Sequence, residues 1–123
     1  MNTDEHAFII GVLDDDRRVL ESVGNLLESA GYQVRLFDSG EMFLQTEAMN
    51  GIDVLICDIR MPGVNGIEVL QQVSTKRPRL PVILITACSD FDSGGIPETS
   101  QRVFRKPIDP TALIDAIAAA VKS

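Results

Sequence analysis

Phe8-Ile9-Ile10-Gly11-Val12-Leu13-Asp14-Asp15-Asp16 is a continuous apolar run that stops abruptly in three carboxylates. Such a run, with no polar residue alternating in it, reads as a strand buried on both faces, as strands of parallel sheets are. Val19, Leu20, Val23, Leu26, Leu27 and Ala30 then recur at helical spacing, and Gly31 stops that helix. Strand and helix signals go on taking turns, which predicts an α/β domain with a parallel sheet.

Gln33 to Phe37 reads as a second strand. Ser39 can cap a helix carrying Met42, Phe43 and Leu44. Asp53 to Cys57 is the third strand, with Asp58 at its end, and Met61-Pro62-Gly63 makes a loop. Asn65, with Glu68 three residues on, forms a capping box for a helix that turns Val69, Leu70 and Val73 inward. Pro78 and Pro81 bracket the entry to a fourth strand, Val82 to Thr86, and Arg102 to Arg105 is a short fifth. Asp109 and Pro110 start a last helix with Leu113, Ala116, Ile117, Ala120 and Val121 as its buried stripe. Between the fourth and fifth strands a fourth helix is due, yet the chain reads Asp92-Ser93-Gly94-Gly95-Ile96-Pro97. Interior glycine costs a helix about 1 kcal/mol and proline about 3, so a loop or a shortened helix is expected there.

At 123 residues the chain fits one domain, and its 45% hydrophobic and 24% charged content is that of a globular protein. A net charge of -7 repels phosphate backbones, so direct nucleic-acid binding is not expected. No apolar run reaches the length of a signal peptide or membrane span, and Cys57 and Cys88 form no C-x-x-C pair. A cytoplasmic protein in a reducing compartment is expected, with Cys57 a small buried hydrophobe.

The acids fall in a telling place. Ligands of doubly wound parallel sheets bind at the carboxyl ends of the strands, and Asp14, Asp15, Asp58, Thr86 and Lys106 all end strands on that edge. Singly each has a bland reading: a helix cap for Asp16, a turn residue for Asp58, a β-branched strand end for Thr86, a solvated charge for Lys106. Jointly they are hard to assign to chance. Two carboxylates 4 Å apart repel by roughly 4 kcal/mol at an effective dielectric of 20, so a cluster needs a cation or protons. Hard oxygen donors in a hydrated pocket suit Mg2+, which also binds phosphate oxygens. Asp58 then qualifies as a nucleophile forming an acyl phosphate, with Lys106 and the Thr86 hydroxyl on the phosphoryl oxygens.

These residues resemble the receiver domain of two-component response regulators, over nearly the whole chain. Val12-Leu13-Asp14-Asp15-Asp16, Ile56-Cys57-Asp58-Ile59-Arg60-Met61-Pro62-Gly63 with Gly66, Ile85-Thr86-Ala87, and Lys106-Pro107 are similar to its four signatures. Phe37-Asp38-Ser39-Gly40-Glu41-Met42-Phe43-Leu44 is similar to the FixJ-like subfamily. The resemblance implies a flavodoxin-like (βα)5 three-layer sandwich with strand order 2-1-3-4-5. It implies Asp58 as the phosphorylation site, and Mg2+ on Asp14, Asp15, Asp58 and the backbone carbonyl of Arg60. Thr86 and Lys106 would contact the phosphoryl group, and Ala87 would keep the approach open. The implied partners are a sensor histidine kinase as donor, a C-terminal DNA-binding output domain outside this chain, and a phosphorylation-linked homodimer. Residues 1–123 would be one receiver domain, standing alone or leading a longer regulator, and not an enzyme beyond its own phosphorylation and dephosphorylation.

Two departures stand out. The segment Ser89 to Gln101 is short and rich in helix breakers, so phosphorylation is expected to order it rather than move a preformed helix. Three positions before the lysine, where the family tends to carry an aromatic switch residue, stands Val103, and Phe104 next to it should face the opposite side of the sheet. Arg60 and Cys88, two positions past the acceptor and the threonine, are expected to tune hydrolysis. His6 is expected to be inert. Two other classes compete: a phosphorylation-independent interaction module, and a haloacid-dehalogenase-type phosphatase using Asp14 and Asp16, against which Arg17 and Arg18 stand where that family prefers small residues.

Overall fold

The computed structural model describes residues 8–86, 102–106 and 108–121. The predicted fourth-helix segment, with Ala87, Cys88, His6 and Pro107, lies outside them. The elements run Ile9–Leu13 (β1), Arg17–Ser29 (α1), Gln33–Phe37 (β2), Gly40–Gln45 (α2), a 3-10 turn at Ala48–Gly51, Val54–Asp58 (β3), Gly66–Lys76 (α3), Val82–Thr86 (β4), Arg102–Arg105 (β5) and Pro110–Val121 (α4). The five strands pair in parallel in the order β2-β1-β3-β4-β5, as expected.

Alternation along the strands sorts the core into two layers. Ile10, Val12, Val54, Ile56, Ile83 and Ile85 pack with Leu20, Val23 and Leu27 of α1 and Leu113, Ala116 and Ile117 of α4. Leu13, Leu55, Cys57 and Leu84 face the other way, onto Phe43 of α2 and Val69, Leu70 and Val73 of α3. Strands covered on both faces need no polar alternation, which is why the apolar runs are unbroken. The final helix buries less than its stripe predicts: Ala120 and Val121 are only half-buried. No helix among the described residues is long and apolar enough to cross a membrane.

The helix starts carry the caps read from the sequence. Asp16 accepts from the Arg18 N–H at 2.9 Å, and Ser39 Oγ from the Met42 N–H at 3.3 Å. Asp109 accepts from the N–H groups of Thr111 and Ala112. At α3 the capping box is complete, with Asn65 accepting from Glu68 N–H and Glu68 accepting from Asn65 N–H, both at 3.0 Å. Asn65→Ala should therefore cost about 1 kcal/mol of stability, read as a lower midpoint in urea with an unchanged slope.

Candidate functional site

Strand register builds the site. Leu13 of β1 lies beside Cys57 of β3, so the next residue on each strand, Asp14 and Asp58, emerges on the same edge of the sheet. Asp58 pairs with Ile85 of β4, Thr86 pairs with Arg105 of β5, and the Lys106 N–H donates to the Thr86 carbonyl at 2.9 Å. Four separated stretches of chain thus deliver Asp14, Asp58, Thr86 and Lys106 to one carboxyl-terminal edge.

Asp14 is fully buried, Asp58 5% exposed and Thr86 1% exposed, the only buried polar or charged residues among those described. Asp14 spends one oxygen on the Asp16 N–H at 2.9 Å and offers the other to Lys106 Nζ at 3.1 Å. The same ammonium stands 3.8 Å from Asp58. Asp15 is exposed, yet one oxygen each from Asp14, Asp15 and Asp58 come within 4.8 Å of one another. Three carboxylates against one ammonium leave the pocket negative, and the cost falls on Asp58. Burial above all, then the charges of Asp14 and Asp15 against the opposing pull of Lys106, pushes its carboxyl from 3.8 up to about 6.

An all-oxygen, underneutralised cluster with one member open to solvent has the donor chemistry of a hard divalent ion. The residues present fit such an ion. Arg60 follows in the loop after β3, where it is exposed and lines a cleft of about 600 Å³ with Ile59, Met61, Pro62 and Asn65. Cys57 is buried and free, its thiol pushed up by burial and by the neighbouring Asp58 and Asp14, which fits its expected role as an inert core residue. Asp16 is occupied as the cap of α1, its carboxyl held below the usual range first by the Arg18 backbone N–H. On β5 Val103 lies beside Leu84 and is exposed, whereas Phe104 lies beside Ile85 and joins the layer under α1 and α4. Phe104 therefore does not stand in for an aromatic residue at position 103.

Sequence reasoning missed the role of Gly66. It matched a motif, but only the fold shows its backbone against that of Asp58 and Ile59. Glycine in the first turn of a helix, where propensity disfavours it, was the available signal.

A five-stranded parallel sheet in the order β2-β1-β3-β4-β5, with a carboxylate cluster and a lysine at its carboxyl edge, defines a flavodoxin-like α/β domain. The chain belongs to the response regulator receiver domain family, whose model matches residues 10–118. It is 33% identical over 120 residues to the response regulator protein TodT of Pseudomonas putida, covering 96% of this chain and 53% of that protein. It is 34% identical over 90 residues to the transcriptional regulatory protein FixJ of Bradyrhizobium diazoefficiens, covering 73% of this chain and 42% of that one. Among solved structures, the response regulator StyR matches with a TM-score of 0.84 and 32% identity over 95% of this chain and 60% of its own. The chain thus spans about half the length of TodT, and it is a receiver domain of two-component signalling. Family membership, with Asp16 engaged as a cap, sets aside the phosphatase reading.

Proposed function

We propose that this receiver accepts a phosphoryl group on Asp58 in a Mg2+-dependent reaction, with a phosphohistidine of a sensor kinase as donor. The observation that carries it is the convergence of Lys106 on Asp14 and Asp58, at 3.1 and 3.8 Å, beside the exposed carboxylate of Asp15. A buried Lys106–Asp58 pair alone would be structural. A third carboxylate that the lysine cannot neutralise makes the pocket a site for a ligand.

An Asp58 oxygen attacks phosphorus as the bond from phosphorus to the donor's nitrogen breaks, and the imidazole leaves with that electron pair. With its carboxyl poised at about 6, Asp58 is mostly ionised at neutral pH and needs no general base. Lys106 shifts from its carboxylate partners onto the incoming phosphoryl oxygens, and the Thr86 hydroxyl donates a further hydrogen bond. Mg2+ would be held by Asp15, Asp58 and the Arg60 carbonyl, with Asp14 acting directly or through water, and would neutralise charge on the transferring group. Asp14, both of whose oxygens already have partners, suits the outer role. A groove of about 790 Å³ between α1 and the start of α4, lined by Val19, Val23, Leu26, Ile108 and Leu113, reaches Lys106 and would seat the donor protein beside the site.

We extend the proposal to an output domain beyond this chain, in line with its coverage of only part of TodT and FixJ. The test is intact mass after treatment with acetyl phosphate. A single phosphoryl adduct that requires Mg2+ and is lost in hydroxylamine is expected. An unchanged mass with Mg2+ present, or an adduct indifferent to the metal, would contradict the proposal.

A further inference from the structure

Helix α3 begins directly against the backbone of the residue that carries the chemistry. A Cβ at position 66 would stand 2.3 Å from the Asp58 carbonyl oxygen, 3.0 Å from its carbonyl carbon and 2.8 Å from Ile59 Cα. None of those atoms belongs to a side chain that can swing aside. Ile59 is tied to β4 by its N–H on the Ile85 carbonyl at 2.9 Å, and Gly66 closes the loop by donating its own N–H to the Ile59 carbonyl at 2.8 Å. At the loop's far end, a Cβ on Gly40 of α2 would meet the Val64 carbonyl oxygen at 2.9 Å. The segment from Asp58 to Gly66 is therefore set between β4 and the starts of two helices, with no slack at either end.

We infer that Gly66 is a positioning residue for the reaction at Asp58: by lacking a side chain it lets α3 seat against β3 and fixes both the acceptor carboxylate and the loop that carries the Arg60 carbonyl. The inference rests on the proposed phosphorylation of Asp58. A methyl group at position 66 must either lift α3 away, breaking the Gly66–Ile59 hydrogen bond, or rotate the Asp58 peptide. Both displace the acceptor relative to Asp14, Asp15 and Lys106. Displacements near 1 Å in a reacting group cost about 100-fold in rate.

Stability loss alone would not distinguish this role, so Gly66→Ala is compared with Gly11→Ala. In the latter a Cβ would meet Ile52 Cδ1 at 2.9 Å, the yielding end of a side chain in the core and remote from the carboxyl edge. Phosphorylation by acetyl phosphate under saturating Mg2+, Mg2+ affinity by calorimetry, and thermal midpoint are measured for the wild type and both variants. Gly66→Ala is expected to lower the phosphorylation rate constant about 10- to 100-fold and to weaken Mg2+ binding, while Gly11→Ala loses stability and keeps both within twofold. A Gly66→Ala protein that is less stable but phosphorylated at the wild-type rate overturns the inference and leaves the proposed function standing. A wild type that takes no phosphoryl group overturns the proposed function itself. Should Gly66→Ala not fold in plain buffer, the same measurements are made on all three proteins in a stabilising osmolyte, where a lower rate for Gly66→Ala supports the inference and a wild-type rate overturns it.

Discussion

Asp58→Asn, compared with the wild type at pH 7.5 without divalent ions, should be the more stable protein and should take up no phosphoryl group at all. Its carboxyl binds a proton more tightly folded than unfolded, because burial and the charges of Asp14 and Asp15 lift it from 3.8 to about 6. That contribution favours folding while the group is protonated, below about pH 4, and is lost as the pH climbs through 6. At pH 7.5 that contribution is gone, and the neutral amide, which has no charge to bury, restores it. Denaturant titrations from pH 3 to 8 should show wild-type stability falling between about pH 4 and 6 relative to the variant, with saturating Mg2+ closing the gap at neutral pH. Equal stability of the two proteins at pH 7.5 would mean that the acceptor is not strained by its neighbours.

Lys106→Ala should have the opposite effect on stability and a similarly severe one on activity. The ammonium is the partner of fully buried Asp14 at 3.1 Å and the only cation paired with Asp58 among the described residues. Removing it strands two buried carboxylates, a change that typically costs 3–5 kcal/mol. The loss should shrink when Asp14→Asn is added, since the double variant then buries one orphaned charge instead of two. Unfolding curves for the two single variants and the double variant measure that coupling directly. Phosphorylation of folded Lys106→Ala by acetyl phosphate should fall by a factor on the order of 100, because a charge aimed at the transferring group is gone.

Most of this architecture is legible in the sequence because local signals agree with the global fold. Apolar runs and helical stripes mark the strands and helices, and Asp16, Ser39, Asn65 and Asp109 each cap the helix that follows them. The carboxylate edge is legible for the same reason: Asp14, Asp58, Thr86 and Lys106 end strands, and a parallel sheet brings strand ends together. What escapes sequence reading depends on distant partners. The 3-10 turn at Ala48–Gly51 has no periodicity of its own. It is held from afar by the guanidinium of Arg77, at the end of α3, which donates to the carbonyls of Met49 and Ile52. The boundaries of β3 shift by one residue, to Val54–Asp58, because strand ends are set by pairing with β1 and β4 rather than by composition. Ala120 and Val121 pack against the layer of α1 and α4 but stay half-buried, a degree of burial that a helical stripe does not encode.

The most direct measurement is to locate the phosphoryl group itself. After acetyl phosphate treatment with Mg2+, borohydride reduces an aspartyl phosphate to homoserine, and peptide mass spectrometry reads where the conversion occurred. Conversion confined to Asp58 is the predicted result. Conversion at Asp14 or Asp15 with Asp58 intact would contradict it.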